Sequence, residues 1–192
     1  MTTDQPRSPC VVVIGVSGSG KTTTARLLAA QLGTPFADAD DFHPPTNIAK
    51  MRSEIPLDDT DREPWLDAIG RWLHDRGTEG HGGVIACSAL KRRYRDTLRA
   101  AAPRTFFLLL TADRELLIER ITGRHDHYMP AALLDSQLAT LEPLQPGEPG
   151  TTVRADAPPE AIARYAADLI RKSHDQSGHE KYGHEKFGND QP

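Results

Sequence analysis

Cysteine is nearly absent. Two residues in 192, Cys10 and Cys87, cannot staple a small framework, so an apolar core has to hold the fold. Both fall in apolar runs and read as small, reduced core residues. No apolar run approaches the roughly 18 residues of a membrane span, and the polar stretch 1–9 has no apolar signal-peptide core, so the expected compartment is the cytoplasm. An excess of positive charge is also missing. Lys and Arg number 23 against 27 Asp and Glu, a formal charge of −4, which argues against a nucleic-acid backbone as the main partner. A small anion needs only a local pocket of cations. At this length one well-buried core, and hence one domain, is expected.

What the chain does have is glycine concentrated at one place. Gly15-Val16-Ser17-Gly18-Ser19-Gly20-Lys21-Thr22 follows the apolar run Val11 to Ile14 and opens into Thr23 to Leu32. A buried strand, a glycine-rich turn and an amphipathic helix in that order form a phosphate-binding loop, whose backbone N–H groups face an anion at a helix N-terminus. Lys21 then reaches the β- and γ-phosphates, and the Thr22 hydroxyl ligates Mg²⁺. The alternative is a glycine turn that binds nothing.

The rest alternates strand and helix. Strands are expected at residues 34–40, 84–87, 105–110 and 151–154. Helices are expected at 47–52, from Pro64 as a first-turn residue to Gly77, at 91–102, from a cap at Asp113 to Gly123, at 131–141 and at 158–172. Arg92, Arg93, Arg95 and Arg99 are read as mostly outward, and Trp65 and Trp72, seven apart on one helix, as core. Residues 1–9 read as a flexible lead-in, 10–172 as the domain with a short lid at 124–130, and 173–192, with its near-repeat at 178–187, as a disordered tail. Such alternation implies an α/β fold: a parallel five-stranded sheet, helices on both faces, ligands at the carboxyl ends of the strands.

Several polar residues gather at that edge. Asp38 and Asp40 divide two tasks, one in the Mg²⁺ shell and one receiving a hydrogen bond or proton from a substrate hydroxyl; otherwise both are solvated loop charges. Ser88 stands where a second metal-binding aspartate is sought. Ser88 and Lys91 can face a polyol or a carboxylate, unless Lys91 is one more solvated cation. Arg120 and Arg124 share a helical face and can grip phosphate, stack on adenine or stabilise transition-state charge; the alternative for Arg120 is a surface pair with Glu119. His125 and His127 have no third fixed ligand nearby, which disfavours zinc. His179 and His184 read as solvated.

Beyond the phosphate loop, the chain resembles the small P-loop gluconokinases, relatives in fold of shikimate and nucleoside-monophosphate kinases. The resemblance runs from Val11 to about Ile170. It rests on Asp38-Ala-Asp40 with His43-Pro44 and Asn47 to Met51; Pro56-Leu57 with Asp59, Asp61-Arg62 and Pro64-Trp65-Leu66; Cys87 to Lys91 with Tyr94-Arg95; and Arg124, His127-Tyr128, Ser136-Gln137 and Leu141-Glu142-Pro143. It implies a three-layer P-loop kinase fold and phosphorylation of D-gluconate at its 6-hydroxyl by ATP with Mg²⁺, commonly in a homodimer. By position, Gly15, Ser17, Gly18, Ser19, Gly20, Lys21, Thr22, Thr23, Arg120 and Arg124 resemble nucleotide-side residues. Asp40, His43, Lys50, Arg62, Ser88, Lys91 and His127 resemble substrate-side residues. Lys21, Asp40 and Arg124 resemble the catalytic set, and Thr22 and Asp38 the metal ligands. Glu54 stands where the pattern has glycine, and Tyr128 where it has phenylalanine. Two other readings are another small-molecule kinase of this fold and a nucleotide-dependent switch protein.

Overall fold

A computed structural model describes residues 8–53, 55–123 and 131–179; Glu54, the expected lid at 124–130 with Arg124, His127 and Tyr128, and residues 1–7 and 180–192 lie outside them. Five parallel strands, β1 (Cys10–Ile14), β2 (Phe36–Asp38), β3 (Gly83–Cys87), β4 (Phe106–Thr111) and β5 (Gly150–Arg154), lie in the order β2-β3-β1-β4-β5. The central strand β1 is hydrogen-bonded on both sides, Val12 facing Ile85 of β3 and Phe107 of β4. Successive strand side chains point to opposite faces, and β1 divides accordingly. Val11 and Val13 pack with Ala25 and Leu28 of α1 (Lys21–Leu32) and Ala163 and Ile170 of α7 (Pro159–His179). Val12 and Ile14 pack on the other face with Trp65 and Ile69 of α3 (Asp59–Thr78), Leu98 of α4 (Arg92–Ala101) and Leu117 of α5 (Arg114–Thr122). Both faces are therefore dry, which is why the strands read as continuous apolar runs rather than as alternating ones. Cys10 and Cys87 are buried free thiols within these layers.

Three helices depart from expectation. α3 begins at Asp59, ahead of Pro64, because a capping box forms first: the Asp58 carboxylate accepts from the Asp61 N–H at 2.8 Å and the Asp61 carboxylate from the Asp58 N–H at 3.1 Å. These reciprocal bonds satisfy orphan donors of the first turn, and Pro64 sits inside the helix, where it forfeits one backbone bond. α2 begins at Pro45 and runs to Arg52, since a proline at the first helical position loses nothing. α7 continues to His179, seven residues beyond the expected end at Lys172. Arg95 is the clearest correction. Rather than facing outward it is wholly buried, its guanidinium forked onto Glu148 at 2.6 and 2.9 Å.

Candidate active site

The loop between β1 and α1 is shaped by what glycine lacks. A Cβ on Gly15 would stand 2.5 Å from Ser19 Oγ and 2.8 Å from the Leu110 carbonyl, and one on Gly18, at φ +79°, would meet the Leu117 carbonyl at 2.9 Å. Larger residues would force the loop open. Within it Lys21 Nζ donates to the Val16 carbonyl at 3.0 Å, and the Ser17 N–H donates to Gln137 of α6 (Ala131–Thr140) at 2.7 Å. Ser19 Oγ is buried with no hydrogen-bond partner among the described residues. An unmet buried hydroxyl beside a ring of amides at a helix N-terminus suits phosphate oxygens.

Next to the loop, a cavity of about 280 Å³ is lined by Gly18, Gly20, Thr23, Arg120, Ala155 and Pro159 among others. Arg120 Nη2 donates to the Ala155 carbonyl at 2.6 Å, which excludes the surface pair with Glu119 as its main role and places the guanidinium in the wall of this cavity. The Ala155 to Pro159 wall lies between a weak strand and a helix and carries no sequence signature.

β2 ends at Asp38, short of the expected strand at 34–40, so the two aspartates do not lie on one strand; Asp40 lies in a single 3₁₀ turn, Ala39–Phe42. One carboxylate ties these pieces together. Asp38 Oδ2 accepts from the Thr22 hydroxyl at 2.9 Å, and Asp38 Oδ1 accepts from the Asp40 N–H at 3.2 Å. The residue that opens α1 is thereby bonded to the turn that presents the exposed Asp40. Thr22 and Asp38 supply the hard oxygen donors that Mg²⁺ prefers. Two oxygen donors leave most of an octahedral shell open, which fits an ion that shares it with phosphates and water.

Farther along the edge stands an aromatic and cationic cluster. His43 stacks on Trp65, ring centroids 4.8 Å apart and planes within 6°, while Trp65 Nε1 donates to the Ala39 carbonyl at 2.7 Å. Burial, helped by the Arg62 charge, lowers the His43 pKa from 6.5 to about 4, so the imidazole is neutral near pH 7. Trp65 is thus core, as expected, and also the floor under His43. Arg62 lies over Trp65 and Tyr94, 5.9 Å from each ring centroid, and no carboxylate among the described residues bonds it. Lys50 differs: Asp61 holds it at 2.6 and 2.8 Å, a bond that raises the Lys50 pKa and lowers that of Asp61. Lys91 donates to Asp59 at 3.0 Å, and Tyr94 and Arg93 converge on the same carboxylate. The hydrogen bonds from Tyr94 and Lys91 hold Asp59 well below the usual carboxylate range. Lys91 is therefore not a freely solvated cation, and Ser88, partly buried, follows the last residue of β3 in the same loop. Asp59, Asp61, Trp65 and Gln137 stand in the motifs that carry the resemblance, but nothing in their spacing announced these contacts.

Known proteins resemble this chain in sequence and in fold. A family model described as an AAA domain matches residues 10–144. A gluconokinase of Gluconobacter oxydans is 45% identical over 161 residues, covering 84% of this chain and 89% of the relative. The chain belongs to the gluconokinase family. The thermosensitive gluconokinase of Escherichia coli is 44% identical over 71% of this chain and 73% of its own. A solved gluconokinase from Sinorhizobium meliloti superposes with a TM-score of 0.83 at 39% identity, covering 93% of this chain and all of that one. The three-layer P-loop kinase fold is common to these gluconokinases and to this chain.

Proposed function

We propose that this chain transfers the γ-phosphoryl group of ATP to the 6-hydroxyl of D-gluconate. The observation that carries the reading is the Thr22–Asp38–Asp40 linkage, which joins a phosphate loop to an acceptor-side carboxylate in a member of the gluconokinase family. Phosphoryl transfer asks mainly for positioning and charge neutralisation. The loop amides and Ser19 hold the phosphates, Lys21 neutralises them, and Arg120 and Thr23 line the nucleotide cavity. Mg²⁺ held by Thr22 and Asp38 would further neutralise the phosphate oxygens.

On the acceptor side, Asp40 accepts the hydrogen bond of the 6-hydroxyl. As that oxygen bonds to the γ-phosphorus and the bond to the β–γ bridging oxygen breaks, the hydroxyl proton passes to Asp40. Gluconate is a monoanion rich in hydroxyls. Arg62, a planar guanidinium that no carboxylate among the described residues bonds, suits its carboxylate; neutral His43, Ser88 and the Asp59-held Lys91 suit the polyol. Lys50, already paired, serves the site by fixing Asp61. Arg124 and His127 keep the roles that the resemblance implies, stabilising transferred charge and contacting substrate. The same reading takes the enzyme as a cytoplasmic homodimer, and sedimentation equilibrium checks the dimer.

Product identification after incubation with Mg-ATP and a mixture of sugar acids tests the assignment. 6-Phosphogluconate is expected; phosphorylation of shikimate or a nucleoside monophosphate in its place would refute it. Asp40→Asn should still bind ATP yet lose roughly 10²- to 10⁴-fold in kcat, as removal of a general base does. Turnover near that of the wild type would remove Asp40 from the mechanism.

A further inference from the structure

Gln137 lies 120 residues from the loop it touches, and no role in the reaction is assigned to it above. Its side-chain oxygen accepts from the Ser17 N–H at 2.7 Å. That N–H shares a rigid peptide plane with the Val16 carbonyl, which accepts from Lys21 Nζ at 3.0 Å and from the Ser19 N–H at 3.2 Å. One peptide group is therefore gripped at both ends: the catalytic lysine holds its oxygen and Gln137 its hydrogen. Because a backbone N–H must meet an acceptor, the amide orientation of Gln137 is fixed by chemistry. Were this plane to flip, the carbonyl that seats Lys21 would turn away and the N–H would enter the cradle.

The helix that carries Gln137 is itself well anchored. Leu134 is fully buried in the cluster that includes Val16 and Leu117, and Asp135 takes both arms of Arg114 at 2.7 and 2.9 Å. Just past the helix, the Glu142 N–H donates to the Leu90 carbonyl at 2.9 Å, next to Ser88 and Lys91. Gln137 thus projects from a helix that Leu134 seats in the core, with its amide oxygen against the loop.

We propose that Gln137 is a positioning residue for phosphoryl transfer, locking the Val16–Ser17 peptide in the orientation that seats Lys21. The inference builds on the kinase reading above. Gln137→Met removes the acceptor at similar volume, and Gln137→Glu keeps an acceptor oxygen. In the full chain labelled with ¹⁵N, the Met variant should move the Ser17 amide proton upfield and speed its exchange, and the Glu variant should restore both. For Met, KM for ATP should rise by about tenfold, the loss of one well-made hydrogen bond. KM for gluconate should stay within about twofold, with Tm little changed. An unmoved Ser17 amide, failure of Glu to restore it, or equal loss of ATP and gluconate affinity with a lowered Tm would each overturn the proposal. If the wild type did not phosphorylate gluconate, the kinase assignment would fail, whereas titration of the Ser17 amide with Mg-ATP would still decide the role of Gln137.

Discussion

His43 couples one side chain of the proposed acceptor site to the stability of the whole chain. The unfolded state takes up its proton near pH 6.5, but the folded state resists until about pH 4. Between those values the unfolded chain binds more protons, so stability rises with pH through the window and is lost as pH falls. At pH 5 the penalty relative to pH 7 is about 2 kcal/mol. Urea midpoints at the two pH values should fall further in the wild type than in His43→Phe, which keeps an aromatic ring for the Trp65 stack. Equal drops would mean that His43 charges freely in the fold. Legibility at this scale was uneven for a physical reason. A phosphate loop is written in consecutive residues, so its glycines, Lys21 and Thr22 could be placed from the chain alone. The bonds of Asp59, Asp61 and Gln137 join residues far apart in sequence, and charge pairing of that kind leaves no local period.

Elements reveal the same limit through burial. α4 looked like a solvated arginine face, yet Arg95 crosses into the core and donates to the carbonyls of Leu90, Glu142 and Pro143 as well as to Glu148. One buried cation therefore fastens the loop after β3 to the loop before β5, and its hydrogen bonds hold the Glu148 carboxyl below its usual range. Glu148→Gln would leave the guanidinium buried without its counter-charge and should cost about 3–5 kcal/mol in chemical denaturation. The double variant Arg95→Met with Glu148→Met should recover only part of that loss: no charge then remains in the core, but the carbonyls of Leu90, Glu142 and Pro143 lose their donor. A single-variant cost below about 1 kcal/mol would mean that water reaches the pair. The helices with a proline or a capping carboxylate near their start were visible in sequence but misjudged at their edges, because Asp58 and Asp61 outweigh Pro64 as the start signal of α3.

For the whole molecule, strand order brings the phosphate loop, the Asp40 turn and the Ser88 loop to one edge of the sheet, as alternation of strand and helix led us to expect. A ligand held by the folded edge alone should stabilise the entire chain by mass action. Mg-ATP at about 100 times its Kd contributes roughly 2.7 kcal/mol, or about 5–10 °C in Tm for a chain of this size. Lys21→Ala should abolish most of that shift in a thermal melt without gluconate. An undiminished shift would place the nucleotide elsewhere.

The pairing of β1 bears on how the chain is made. Its two neighbours in the sheet are β3 and β4, which come from residues 83–87 and 106–111. During synthesis the valines of β1 leave the ribosome before either sheet partner and wait for β3 until residue 87 and for β4 until residue 111. That interval exposes an apolar, β-prone segment to aggregation, so the nascent enzyme gains its nucleotide cradle only after β4 has emerged.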